Sequence, residues 1–228
     1  MSTTERRVML ITGASSGIGA ATARAAVRGG LDVALLARRK DSLEPLVEEL
    51  GAAHALALPC DATDFDQQAR AVEAALARFG RLDVAFANAG TGISTPGTEN
   101  GDPAEWRRVI DINVMGVLWT AKLTLPHLRA QKGHFLVTSS VAGRTLHKGS
   151  IYGASKWFVH GFGLNLAEEM AAWGGRCTIV SPGMVDTPFF DQPKPTKLKP
   201  EDIADAVMFA VLAPARANVR EVFVTPTW

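Results

Sequence analysis

The chain alternates short apolar runs with longer amphipathic segments. Runs of strand length fall at residues 8–12, 33–37, 55–59, 84–88, 135–139, 178–181 and 222–225, each with a continuous apolar stretch, polar residues falling at its ends instead of alternating along it. Continuous apolarity is what strands buried on both faces require, as in a parallel sheet sandwiched between helices. The intervening segments are long enough for the crossover helices that parallel neighbours need. The pattern predicts an α/β fold with a seven-stranded parallel sheet and helices on both faces.

Acceptor side chains mark several helix starts: Asp41 with Glu44, Asp64 with Gln67, and Asp102 with Pro103 and Glu105. Each pattern places an oxygen before amides that the first helical turn leaves unpaired. The first glycine-rich turn is followed by a helical pattern over 20–27, and an amphipathic stretch runs from 152 to about 170. There is no internal repeat or low-complexity tract. The Pro- and Lys-rich segment 191–200 reads as part of a short flap over about 186–200, not as a linker, so one domain over 1–228 is expected.

Composition agrees with that picture: 47% of the 228 residues are apolar and 21% charged, enough to bury a large core. The formal net charge is +1 with scattered basic residues, which gives no footprint for nucleic acid. Arg6 and Arg7 precede an apolar run that Gly13 ends after five residues, too short for the core of a signal peptide. No stretch is long enough to span a bilayer. The two cysteines, Cys60 and Cys177, stand far apart, without zinc-site or disulfide-framework spacing, and read as small buried residues. A cytoplasmic protein with no metal, nucleic-acid or membrane partner is expected.

The first run ends in Thr12-Gly13-Ala14-Ser15-Ser16-Gly17-Ile18-Gly19. Strand, glycine turn and helix follow in the order a dinucleotide site needs. Gly13 permits a tight turn, Gly17 a close approach of backbone to pyrophosphate, and Gly19 close helix packing, while free helix-start amides face the anion. The spacing resembles the Thr-Gly-x-x-x-Gly-x-Gly of the short-chain dehydrogenase/reductase family. That resemblance implies a single-domain, doubly wound Rossmann fold.

The cofactor follows from the end of the second run, Leu35-Leu36-Ala37-Arg38-Arg39-Lys40. Ala37 stands where the resemblance puts the Asp that selects NAD, and Arg38, with Arg39 after it, offers a planar fork to a 2′-phosphate. NADP(H) is therefore the expected cofactor. The resemblance further implies that Asp61 and Ala62 lie beside the adenine and that Asn88-Ala89-Gly90 forms the segment after the fourth strand, Asn88 bracing the sheet. The family more often has two asparagines there, where this chain has Ala87-Asn88. It also implies that Pro182, Gly183, Val185 and Thr187 hold the nicotinamide carboxamide, with pro-S hydride transfer.

Tyr152 and Lys156 are four residues apart and so share one helix face. A free phenol is a poor base at neutral pH. A neighbouring ammonium would favour the phenolate and bring it closer to the operating pH. On its own the pair is common and is usually an exposed helix pair. The family resemblance makes it the acid/base couple, with Ser140 bonding the substrate oxygen and Asn113 distorting a helix and holding a water that joins the lysine to solvent. Ser140 precedes Tyr152 by twelve residues, one fewer than in many relatives, which leaves Ser139 as the alternative serine.

Substrate contacts are expected from residues 91–95, Leu146, His147, Met184, Phe189 and Phe190, a mostly apolar lining. Trp157 and Phe158 are expected in the core or in a subunit interface. The pattern of 218–227 resembles family members that act on small keto or hydroxy acids. An NADP(H)-dependent oxidoreductase acting on a carbonyl or alcohol, in a homotetramer or dimer, is the reading these residues support. The alternatives are an NADP-binding sensor or scaffold without turnover, and epimerase or dehydratase chemistry.

Overall fold

The computed structural model describes residues 6–146 and 150–227. Seven strands form one sheet: β1 (Arg7–Thr12), β2 (Leu31–Ala37), β3 (Ala55–Pro59), β4 (Val84–Ala87), β5 (His134–Thr138), β6 (Arg176–Pro182) and β7 (Glu221–Val224). All neighbours are parallel, in the order β3-β2-β1-β4-β5-β6-β7. The expected strands are all present, β3 with the expected bounds and the others within two residues of theirs. The order reverses between β1 and β4, which opens a crevice at the carboxyl ends of those strands.

Side-chain alternation explains the unbroken apolar runs. Met9 and Ile11 of β1 face α1 (Gly17–Arg28), α2 (Glu44–Leu50) and α7 (Pro200–Leu212). Val8 and Leu10 face α3 (Phe65–Phe79), α5 (Gly116–Gln131) and α6 (Ile151–Ala171). Successive strand residues point to opposite faces, so a sheet covered on both sides needs both sets apolar.

Two of the three expected caps form. Asp64 accepts from the Gln67 amide at 2.9 Å, and Asp102 accepts from the Ala104 amide at 2.8 Å at the start of α4 (Pro103–Ile110). Glu105 does not reach back to complete a capping box; its carboxylate goes to Ser94 and Thr95 instead. Asp41 caps nothing. It sits in a 3-10 turn, Lys40–Ser42, and the fully buried Leu43 becomes the residue that precedes α2. Burying Leu43 fixes the entry into that helix and leaves Asp41 one turn too early.

Between α4 and α5 the chain makes a π-helical turn, Asp111–Met115. Trp157 and Phe158, expected in the core or an interface, are not in the core: they are 48% and 43% exposed. They lie on the face of α6 turned away from the sheet, because Ser155, Lys156 and Val159 take the covered side. No helix among the described residues is long and apolar enough to cross a membrane.

Candidate active site

The glycine turn leaves β1 with Gly13 at φ +66 and enters α1 with Gly17 at φ +53, both in the left-handed region that glycine adopts at little cost. A Cβ at Gly13 would lie 2.9 Å from the Ala89 Cα, and one at Gly19 only 2.3 Å from the Gly13 carbonyl oxygen. The turn therefore folds tightly against Asn88 and Ala89. Thr12 Oγ1 accepts from the amides of Asn88 and Ala89, each at 3.0 Å. Asn88 Nδ2 donates to the Thr12 carbonyl at 3.1 Å, and its Oδ1 accepts from Thr138 at 3.1 Å, so Asn88 ties β1, β4 and β5 together.

Ser15 and Ser16 are exposed, Ile18 half-buried, and Ser16 makes no side-chain cap to α1. The first amides of α1 thus have no side-chain acceptor, and no acidic residue lies in its first turn. Such a helix start suits an anion. At the end of β2, Arg38 and Arg39 are exposed, and among the described residues neither has an ion-pair partner, whereas Lys40 pairs with Glu44 at 3.4 Å. Asp61 accepts from the Thr63 amide and hydroxyl, both at 2.9 Å. The Ala62 carbonyl accepts from Gln68 at 2.6 Å.

The π-helical turn aims Asn113 inward. Its Oδ1 accepts from the Thr91 amide at 2.8 Å, and Nδ2 donates to the Thr91 carbonyl and to Ser155 Oγ, each at 3.0 Å. Ser155 in turn donates to the Tyr152 carbonyl at 2.7 Å. Asn113 therefore joins the segment after β4 to the first turns of α6. Gly90 closes that corner: a Cβ there would stand 3.4 Å from Asn113 Oδ1 and 3.5 Å from Lys156 Nζ.

On α6, Lys156 is buried and donates to the Thr138 carbonyl at 2.7 Å. Burial pulls its ammonium down to about 8. The amine stands 5.8 Å from the centre of the Tyr152 ring. Tyr152 itself is pushed above the ordinary tyrosine range by burial, with a hydrogen bond to Ser140 pulling the other way. The lowering expected from Lys156 is not what sets the phenol: desolvation of the phenolate is the largest effect, Ser140 supplies the opposing one, and desolvation also weakens the lysine's hold on its proton. Ser140 also accepts from the Ala142 amide at 3.1 Å, whereas Ser139 turns away to donate to the Lys156 carbonyl at 3.1 Å. Asn113, Ser140, Tyr152 and Lys156 are brought to one corner at the carboxyl edge of the sheet.

Past β6, which ends at Pro182, the Gly183 amide donates to the Val224 carbonyl at 2.7 Å, and buried Val185 bridges to Leu198. Thr187 packs over the glycine turn: a Cβ at Gly17 would meet its Cγ2 at 3.1 Å. Phe189 lies against Tyr152, ring centres 5.8 Å apart. Met184 and Leu146 are exposed, and His147 lies outside the described residues. Sequence reasoning missed Thr12, Ser155 and Thr138 as supports of the site. Ser155 carried a usable signal, since it stands between Tyr152 and Lys156 on the same helix. The Thr138 carbonyl carried none.

Comparison with known proteins places this geometry. The pattern of the family described as short chain dehydrogenase matches residues 7–197. An uncharacterized oxidoreductase of Staphylococcus aureus strain MRSA252 is 37% identical over 225 residues, covering 96% of this chain and 97% of the relative. Among solved structures, an alcohol dehydrogenase from the archaeon Thermococcus sibiricus, complexed with 5-hydroxy-NADP, is 32% identical with a TM-score of 0.91 over 98% of this chain and 97% of that one. A metagenomic short-chain oxidoreductase in complex with NADP is 34% identical with a TM-score of 0.86, covering 97% of each.

Proposed function

The chain belongs to the short-chain dehydrogenase/reductase family, and from that premise we propose that it is an NADP(H)-dependent oxidoreductase acting on a carbonyl or alcohol, with Tyr152 as general acid/base. The observation that carries this reading is the corner where Tyr152, hydrogen-bonded to Ser140, stands one helical turn from the buried Lys156. We read the chain as one catalytic domain with a flap over about 186–200, cytoplasmic and homo-oligomeric. The half-exposed Trp157 and Phe158 suit a subunit contact.

The residues present fit a dinucleotide. Gly13, Gly17 and Gly19 leave a cradle that side chains would fill, and the start of α1 offers unpaired amides. Ser15, Ser16 and Ile18 would line the pyrophosphate, with Asp61, Ala62, Ala89 and Gly90 along the adenosine and ribose. Unpaired Arg38 and Arg39 would take a 2′-phosphate, and Ala37 presents no like charge to it. Pro182, Gly183, Val185 and Thr187 would orient the carboxamide. Two solved relatives carry NADP or a derivative of it. When bound, the cofactor supplies the hydride that goes to the carbonyl carbon.

The side chains do the rest. Ser140 Oγ donates a hydrogen bond to the carbonyl oxygen as negative charge grows there. Tyr152 gives that oxygen its phenolic proton, completing the alcohol. Lys156 then returns a proton to the phenolate and regains one from solvent along the Asn113 side. A phenol held protonated by burial is able to donate, which is the role reduction asks of it.

A panel of aldehydes, ketones, keto esters and sugars, assayed with NADPH and with NADH, tests the reading. Faster turnover with NADPH is expected, and Arg38→Ser should lower kcat/KM for NADPH by roughly tenfold or more, the worth of a charge-assisted bond. NADPH binding without turnover anywhere on the panel would favour a sensor or scaffold. Products formed without net cofactor consumption would mark epimerase or dehydratase chemistry.

A further inference from the structure

The segment after β4 forms one wall of the candidate site, and α4 pins it. Glu105 accepts from the Ser94 hydroxyl at 2.7 Å, from the Ser94 amide at 3.1 Å and from the Thr95 amide at 3.4 Å. Those bonds from Ser94 hold the Glu105 carboxyl below its usual range. Arg108 donates to the Gly92 carbonyl at 3.5 Å, and Asn113 holds both backbone groups of Thr91. Held at 91, 92, 94 and 95, this wall has little freedom to retreat.

Phe189 of the flap uses a notch in it. A Cβ at Gly92 would lie 3.0 Å from Phe189 Cζ and 3.3 Å from Cε1, so the ring edge occupies the space a side chain at 92 would need. Across from the notch, the same ring tilts at 53° to the Tyr152 ring, centres 5.8 Å apart. Phe190 backs it edge-on at 5.2 Å. The flap is closed on itself by the Lys194 amide donating to Asp186 at 2.6 Å. A substrate that presents its carbonyl to Tyr152 meets the Phe189 ring on this side, and the edge of that ring already fills the notch at Gly92.

We propose that Phe189, seated between Gly92 and Tyr152, is a specificity-determining residue that confines one substituent of the reacting carbonyl to hydrogen or methyl, making aldehydes and methyl ketones the preferred substrate class. This rests on the reading of the chain as a carbonyl oxidoreductase. The notch itself is independent of that reading, because it follows from the pinned wall and from the absence of a side chain at 92.

The test compares kcat/KM with NADPH along two series: butanal, 2-pentanone and 2-methyl-3-hexanone, and benzaldehyde, acetophenone and isobutyrophenone. Wild type should lose roughly tenfold or more from the methyl to the isopropyl member, the scale at which a pocket discriminates by size. Phe189→Ala should narrow that ratio about fivefold or more. Gly92→Ala should narrow it too, since the new methyl group displaces the ring. NADPH affinity, read from nucleotide fluorescence, shows that each variant is folded with its cofactor site intact. Wild-type ratios in both variants with NADPH affinity retained would overturn the gate, as would a wild type indifferent to the isopropyl group. Failure of wild type to reduce any member while NADPH still binds would bring down the oxidoreductase reading, and the gate with it.

Discussion

The two edges of the sheet each bury positive charge, and they treat it in opposite ways. At the amino edge, Arg7 and Arg176 converge on the end of α7. Arg7 reaches the Val211 carbonyl at 3.4 Å, and Arg176 reaches those of Ala213 at 3.0 Å, Ala217 at 3.4 Å and Val211 at 3.5 Å. The Val211 and Ala213 carbonyls are ones the helix end leaves unpaired, where cations are favoured, and Ala217 lies in the segment just beyond it. Burial pulls both guanidinium groups down, yet a guanidinium does not shed its proton in the physiological range. At the carboxyl edge, Lys156 donates to the single carbonyl of Thr138 and is pulled to about 8. One edge holds a fixed charge that seals a helix end. The other holds a group able to gain and lose a proton near neutrality, beside the Tyr152 that needs one.

Removing each cation in turn gives the largest separation between the edges. Lys156→Met should cut turnover by about 100-fold or more, the scale of a lost acid–base partner, yet stabilise the fold by about 2 kcal/mol at pH 7. That gain is the burial cost implied by a shift from 10.5 to about 8, roughly 3 kcal/mol, less about 1 kcal/mol for the Thr138 carbonyl's lost partner. The folded amine binds its proton less tightly than the unfolded one, so the gain is full below pH 8 and shrinks as pH rises from there toward 10.5. Arg176→Met should instead destabilise by about 2–4 kcal/mol, because three carbonyls lose a donor. Urea unfolding of both variants at pH 7 checks the pair, and shifts of the same sign would break the contrast.

A smaller effect sharpens it. Thr178 uses its one hydroxyl proton to bond the Val219 carbonyl, so the His134 Nε2 that meets it at 2.7 Å must be the donor. Burial, with Arg176 and Arg7 nearby, keeps the His134 pKa well below the ordinary value of 6.5 and so keeps the ring neutral. The unfolded chain takes up that proton first, so stability should fall as pH drops below 6.5, at up to about 1.4 kcal/mol per pH unit from this group. His134→Leu should show the shallower slope in urea unfolding between pH 5 and 7. Equal slopes would mean that the amino edge admits the proton after all.

The carboxyl edge was far more legible in the sequence than the amino edge, and the reason is spacing. The glycine turn, Arg38, and the Tyr152–Lys156 pair are each local in the chain, so pattern and family resemblance could place them. Arg7 and Val211 are 204 residues apart, and no local pattern joins them. The same limit explains the errors. Asp102 and Glu105 read as a capping box, but Ser94 lies close enough in space to claim the glutamate. Asp41 looked like a cap because the burial of Leu43 was not visible. Helical spacing placed Trp157 and Phe158 on α6 without saying which side of it the sheet would cover. The direction of the Tyr152 shift needed the depth of the pocket, which only the packed fold supplies.

The most direct test of the acid/base assignment is the turnover number for NADPH-dependent carbonyl reduction by wild type and by Tyr152→Phe, with NADPH affinity measured on the same preparations. A loss of about 100-fold or more with affinity retained is the predicted result, since only the proton donor is removed. Equal turnover by the two proteins would contradict it.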